Sequence, residues 1–126
     1  MVRYFSDIEF RYCDPPCSLG DMDSHFMKLL DNARHISNSP FVPTSAFRSV
    51  EHEIEQGRSG TSSHTKGIAI DLAVKNSKQR FDILNALLST GFTRIGIAKN
   101  FIHVDLDKAK SQTVIWDYYD LSLIHI

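Results

Sequence analysis

Ile68-Ala69-Ile70-Asp71-Leu72-Ala73-Val74 alternates with a period of two, so Ile68, Ile70, Leu72 and Val74 share one face of a strand and Ala69, Asp71 and Ala73 the other. The bulky face reads as core. The other face sets a carboxylate between two alanines where a solvated strand would carry Lys, Thr or Glu, leaving room above the acid for an ion and a substrate. Phe101 to Leu106 repeats the pattern: Ile102, Val104 and Leu106 point inward, and Phe101, His103 and Asp105 point the other way. If the two strands are neighbours, Asp71 and His103 converge. In Thr93 to Ala98, Ile95 and Ile97 share a face with Thr93, and Gly96 on the opposite face, beside Arg94, gives clearance if that face joins the site.

Working outward, Phe41 to Phe47 and Thr113 to Tyr118 are further candidate strands, rich in β-branched or aromatic residues. Two amphipathic helices are expected. Met22 to Ser37 repeats Phe26, Leu29, Leu30, Ala33 and Ile36 at helical spacing, with Asp21 as its cap. Lys78 to Thr90 lines up Phe81, Leu84, Leu87 and Leu88, with Ser77 as cap and Gly91 as stop. Helices and strands mix without βαβ alternation, which predicts an α+β domain, a largely antiparallel sheet flanked by helices.

At 126 residues, with 42% hydrophobic and 23% charged, the chain is the length of one ordinary domain, so a single domain over residues 1–120 is expected to carry the whole function. No apolar run approaches the length of a membrane span. The opening residues lack the apolar stretch and cleavage site of a secretory signal, which predicts synthesis in the cytoplasm. A net charge of -1 without clustered Lys and Arg argues against a nucleic-acid partner. Cys13 and Cys17 flank Pro15-Pro16; free thiols, a short-loop disulfide and part of a metal site all stay open, with free thiols favoured because no second Cys pair completes a structural zinc cage. Leu121 to Ile126 shows neither turn signal nor periodicity and reads as a disordered or non-native tail.

The polar stretch Gln56 to Ser63 reads as an exposed loop delivering His64 to the start of a strand. His64, Asp71 and His103 together would make two imidazoles and a carboxylate, a catalytic zinc set that leaves a position for water. From spacing alone, scattered solvated residues are the favoured reading. His25, His35 and His52 read as surface groups. Arg48, ending a strand, reads either as a surface ion pair or as a clamp on a carboxylate or oxyanion.

Four strings, Ser45-Ala46-Phe47-Arg48-Ser49, Ser63-His64-Thr65-Lys66-Gly67-Ile68-Ala69-Ile70-Asp71, Gly91-Phe92-Thr93-Arg94-Ile95-Gly96-Ile97 and Phe101-Ile102-His103-Val104-Asp105, resemble in that order the M15 family of zinc peptidases. The likeness runs from about Phe5 to Tyr118 and points to the compact D-Ala-D-Ala carboxypeptidase-like members of phages and bacteria. It implies zinc on His64, Asp71 and His103, Arg48 as the substrate-binding arginine, and Ser63 and Gly67 as loop-shaping positions. The implied substrate is the peptidoglycan stem peptide, cut at a terminal D-Ala or internally at L-Ala-D-Glu by a monomer acting at the bacterial wall, with phage relatives serving in host lysis. Several relatives carry an acid three residues before the late His, where this chain has Asn100. Asp105 then becomes the first candidate for the general base, with orientation of His103 as its other reading. The alternative to a peptidase is a non-catalytic zinc-binding module of hedgehog-like architecture.

Overall fold

The computed structural model describes residues 2–118. In chain order its elements are α1 (Asp7–Arg11), a 3-10 turn (Leu19–Asp21), α2 (Ser24–Ile36), β1 (Pro43–Ser45), α3 (Val50–Glu55), a second 3-10 turn (Ser63–Lys66), β2 (Ala69–Ala73), α4 (Ser77–Ser89), β3 (Arg94–Ile97), β4 (Phe101–Asp105) and β5 (Val114–Asp117). The fold is α+β. The five strands form one sheet in the order β1-β2-β4-β3-β5. Its β1-β2, β2-β4 and β3-β4 pairs are antiparallel, and β5 runs parallel to β3 because the chain reverses after β4 and both strands then oppose β4 in direction.

The alternation of β2 and β4 holds: Ile70, Leu72, Ile102 and Val104 are fully buried against Phe26, Leu30, Ile83 and Leu87 of the helices. Phe26 of α2 meets Phe92 edge-on at 5.9 Å. The helix limits differ from expectation in their caps. Asp23, not Asp21, caps α2 by accepting from Phe26 N–H, while Asp21 closes a capping box with Ser18 one turn earlier. Asn76, not Ser77, caps α4 through Gln79 N–H. Phe81 and Leu88, expected in the core, are 67% and 47% exposed, because α4 buries a face centred on Ile83, Ala86 and Leu87. Helices α1 and α3 were not foreseen; both are too short for periodicity to register. The tail expected at 121–126 lies outside the described residues.

Candidate metal centre

One rung crosses the whole sheet. Ser45 pairs with Asp71, Asp71 with His103, His103 with Gly96, and Gly96 with Trp116. Paired residues point to the same side of a sheet, so the rung places a carboxylate and an imidazole side by side on the face away from the core. His64 reaches this rung from the second 3-10 turn. That turn ends at Gly67, whose φ of 71° and whose missing Cβ, which would lie 2.7 Å from the Asp21 carbonyl oxygen, both require glycine.

The two imidazoles meet on one oxygen. His64 Nε2 lies 3.4 Å and His103 Nδ1 2.9 Å from Asp71 Oδ1. The rings stand edge to face with centroids 5.1 Å apart. His64 uses its other nitrogen on the Ala46 carbonyl at 2.7 Å, and His103 uses Nε2 on Asp105 Oδ2 at 2.7 Å. Both rings are therefore fixed from behind with one nitrogen facing the carboxylate. His64, Asp71 and His103 could hold a metal ion, their donor atoms lying within 4.8 Å of one another. The residues fit a divalent ion of the zinc type: two nitrogens and a carboxylate oxygen, each imidazole held through its remote nitrogen.

Burial works to raise the Asp71 carboxyl, but hydrogen bonds and charge from His103 and His64 outweigh it and hold Asp71 well below the usual carboxylate range. For His103, burial opposes the charged form while Asp105 and Asp71 favour it more strongly, so the ring titrates above its ordinary value. Asp105 is only 1% exposed. Its Oδ1 accepts from Arg94 Nε at 2.7 Å and from Asp107 N–H at 2.9 Å, and its Oδ2 faces His103. These hydrogen bonds overcome burial and draw Asp105 down to about 2.

Arg48 does not end a strand; it stands three residues beyond β1. Its Nε donates to Ser45 Oγ at 3.0 Å, its Nη1 lies 3.4 Å from Glu53 Oε1 and its Nη2 3.7 Å from Asp71 Oδ2. Glu53, next to His52, is fully buried and takes a second guanidinium, Arg58, at 2.7 Å. All five candidate site residues, Arg48, His64, Asp71, His103 and Asp105, line one cavity of about 340 Å³. None of His25, His35 and His52 lines it. Asn100 lies exposed in the β3–β4 turn, where its backbone carbonyl accepts from Val74 N–H. Cys13 and Cys17 are free thiols and stand outside the donor group.

Sequence reading gives no site role to Arg94, Lys110, Trp116 and Tyr118, which also line the cavity. For Trp116 and Tyr118 the signal existed, since they alternate with Ile115 and Asp117 and so share a strand face. Gly96 provides the expected clearance, but for the Trp116 indole: a Cβ at position 96 would lie 2.6 Å from its Nε1.

A buried imidazole–carboxylate–imidazole group that could hold a metal ion, opening into a polar cavity of a small α+β fold, is an arrangement that a metal-dependent hydrolase can use. The chain belongs to the peptidase M15 family, whose model matches residues 10–105, well over half of its length. It is a metallopeptidase. No curated protein matches the chain at a significant level. Among the described residues, no helix is long and apolar enough to cross a membrane.

Proposed function

We propose that the chain is a zinc-dependent peptidase that hydrolyses a peptide bond of the bacterial peptidoglycan stem peptide, as a D,D-carboxypeptidase or an L-Ala-D-Glu endopeptidase acting at the wall. The observation that carries this reading is the convergence of His64 Nε2 and His103 Nδ1 on Asp71 Oδ1 beside the Arg48 guanidinium. Bound zinc would supply Lewis acidity and a water whose pKa falls to about 7. The Ala46 carbonyl and Asp105 fix the two ligand imidazoles, so their facing nitrogens need no reorganisation. Glu53 and Ser45 hold Arg48 with Nη2 toward the cavity, where a guanidinium can stabilise charge developing on a carbonyl oxygen. Of the two roles open to Asp105, orientation is the better supported, because both of its oxygens are already hydrogen-bonded and it is sealed from solvent.

The test is zinc content measured together with turbidity loss of purified peptidoglycan, wild type against Asp71→Ala. One zinc per chain and metal-dependent clearing, both lost in the variant, support the proposal, and product analysis then separates release of free D-Ala from internal cleavage. Zinc bound without hydrolysis would favour the hedgehog-like binding module. A chain that takes up no zinc on reconstitution would sink both.

A further inference from the structure

The segment between β4 and β5 lies beyond the residues matched by the family model, yet it contributes to the cavity lining. The residue it contributes is Lys110. The backbone on either side of that lysine is pinned from several directions: Ala109 N–H donates to Asp107 Oδ1 at 3.2 Å, Lys110 N–H to the Asp107 carbonyl at 3.3 Å, and Gln112 Nε2 to the Lys110 carbonyl at 2.8 Å. Arg94, which holds Asp105, also donates to the Ser111 carbonyl. The backbone beside Lys110 is thus held by Asp107, and at Ser111 by Arg94, which also holds the Asp105 that orients His103.

The lysine is not neutralised where it stands. Asp107, 1% exposed, receives Ser63 Oγ at 2.8 Å and Lys66 Nζ at 3.0 and 3.1 Å, so its charge is already paired. Lys110 Nζ lies 3.7 Å from the same carboxylate and donates to Ser63 Oγ at 3.2 Å. Ser63 immediately precedes His64. The cavity lining carries the same surplus: among the described residues, its Arg, Lys and Asp side chains are three cations (Arg48, Arg94, Lys110) against two carboxylates (Asp71, Asp105). A bound divalent metal would add to that excess. A polar cleft with surplus positive charge and an ammonium donor held on Ser63 selects an anion.

We propose that Lys110 is the receptor for a carboxylate of the peptide substrate, so that the site takes acidic peptides and discriminates against their amides. The proposal rests on the peptidase reading of the cavity. Arg48 reaches the site at Asp71, whereas Lys110 is anchored on Ser63 and Asp107. These different anchors suit a division of labour, Arg48 serving the scissile carbonyl and Lys110 a carboxylate of a flanking residue. On a wall stem peptide this carboxylate belongs either to D-glutamate or to the terminal D-alanine.

The experiment uses a stem pentapeptide and two derivatives, one with the D-glutamate carboxylate and one with the terminal carboxylate converted to carboxamide. Binding is read by calorimetry on the metal-free chain and hydrolysis as kcat/KM on the zinc-loaded chain, for wild type, Lys110→Met and Lys110→Arg. Wild type is expected to prefer the acid over one of the two amides by about tenfold, which identifies the carboxylate; Lys110→Met should abolish that ratio and Lys110→Arg retain it. A wild type indifferent to both amides, or a Lys110→Met that weakens acid and amide alike or keeps the preference, would overturn the proposal. Discrimination in binding without cleavage of any peptide would remove the peptidase reading and leave the subsite standing. Cleavage without discrimination would do the reverse.

Discussion

Asp105 and His103, two residues apart on β4, face each other through Oδ2 and Nε2 at 2.7 Å, and this contact turns the ring so that Nδ1 meets Asp71. Both ring nitrogens face carboxylates, and these outweigh the opposing burial, so the metal-free ring titrates above its ordinary value. A metal must displace the proton on Nδ1. Metal binding should therefore release a proton and weaken as pH falls from 8 to 6, which calorimetry in two buffers of different ionisation enthalpy would reveal. Asp105→Asn should cost roughly 10-fold to 100-fold in metal affinity. Unchanged affinity in that variant would remove the orienting role.

Glu53 is expected to be a stability determinant despite its place in a charged run. Burial acts to raise its carboxyl, but the Arg58 hydrogen bond and the charges of Arg48 and Arg58 prevail, so it titrates below its ordinary value. A depressed pKa gives stability that is complete above the unfolded value of about 4.3 and is lost as pH falls through the folded one. Glu53→Gln should lower unfolding free energy at neutral pH by about 2 kcal/mol and flatten the acid limb of the stability profile, both read from urea titrations. Equal acid sensitivity in variant and wild type would contradict the assignment.

Gly96→Ala places a methyl group 2.6 Å from the Trp116 indole nitrogen. The loss should be about 1–3 kcal/mol, with the indole displaced from the cavity wall. Trp116 is the single tryptophan of the chain, so its fluorescence maximum reports the displacement directly. A variant of wild-type stability and emission would show that the wall tolerates the added carbon.

Cys17 should react with iodoacetamide well before Cys13. The hydrogen bond from Cys13 stabilises the Cys17 thiolate and, despite opposing burial, brings it down to about 7, while the same contact, with burial, drives Cys13 upward. The rate at Cys17 should rise with pH through a midpoint near 7, followed by mass spectrometry of the alkylated peptides. Equal labelling of both thiols would refute the pairing.

The sequence by itself determined the parts whose cause is local. Period-two alternation in Ile68 to Val74 and Phe101 to Leu106 specifies which side chains enter the core, because a strand inverts its side chains at every residue. It thereby separates Asp71, His103 and Asp105 from the hydrophobic face before any pairing is known. The site motifs are equally local, and with them Arg48 and His64 were legible. Tertiary structure alone decided the rest. The rung from Ser45 to Trp116 depends on strand order and register, which no single strand encodes. Glu53 is indistinguishable from a solvated glutamate until folding buries it between two arginines that lie five residues away on either side. Phe81 and Leu88 mark one face of α4, yet the residues that pack are set by where α2 and β4 meet that helix. Lys110 gains its meaning only because Asp107 is already neutralised by Lys66 and Ser63, 41 and 44 residues earlier in the chain. Local sequence fixes which faces are available; long-range packing fixes which charges remain unpaired at the site.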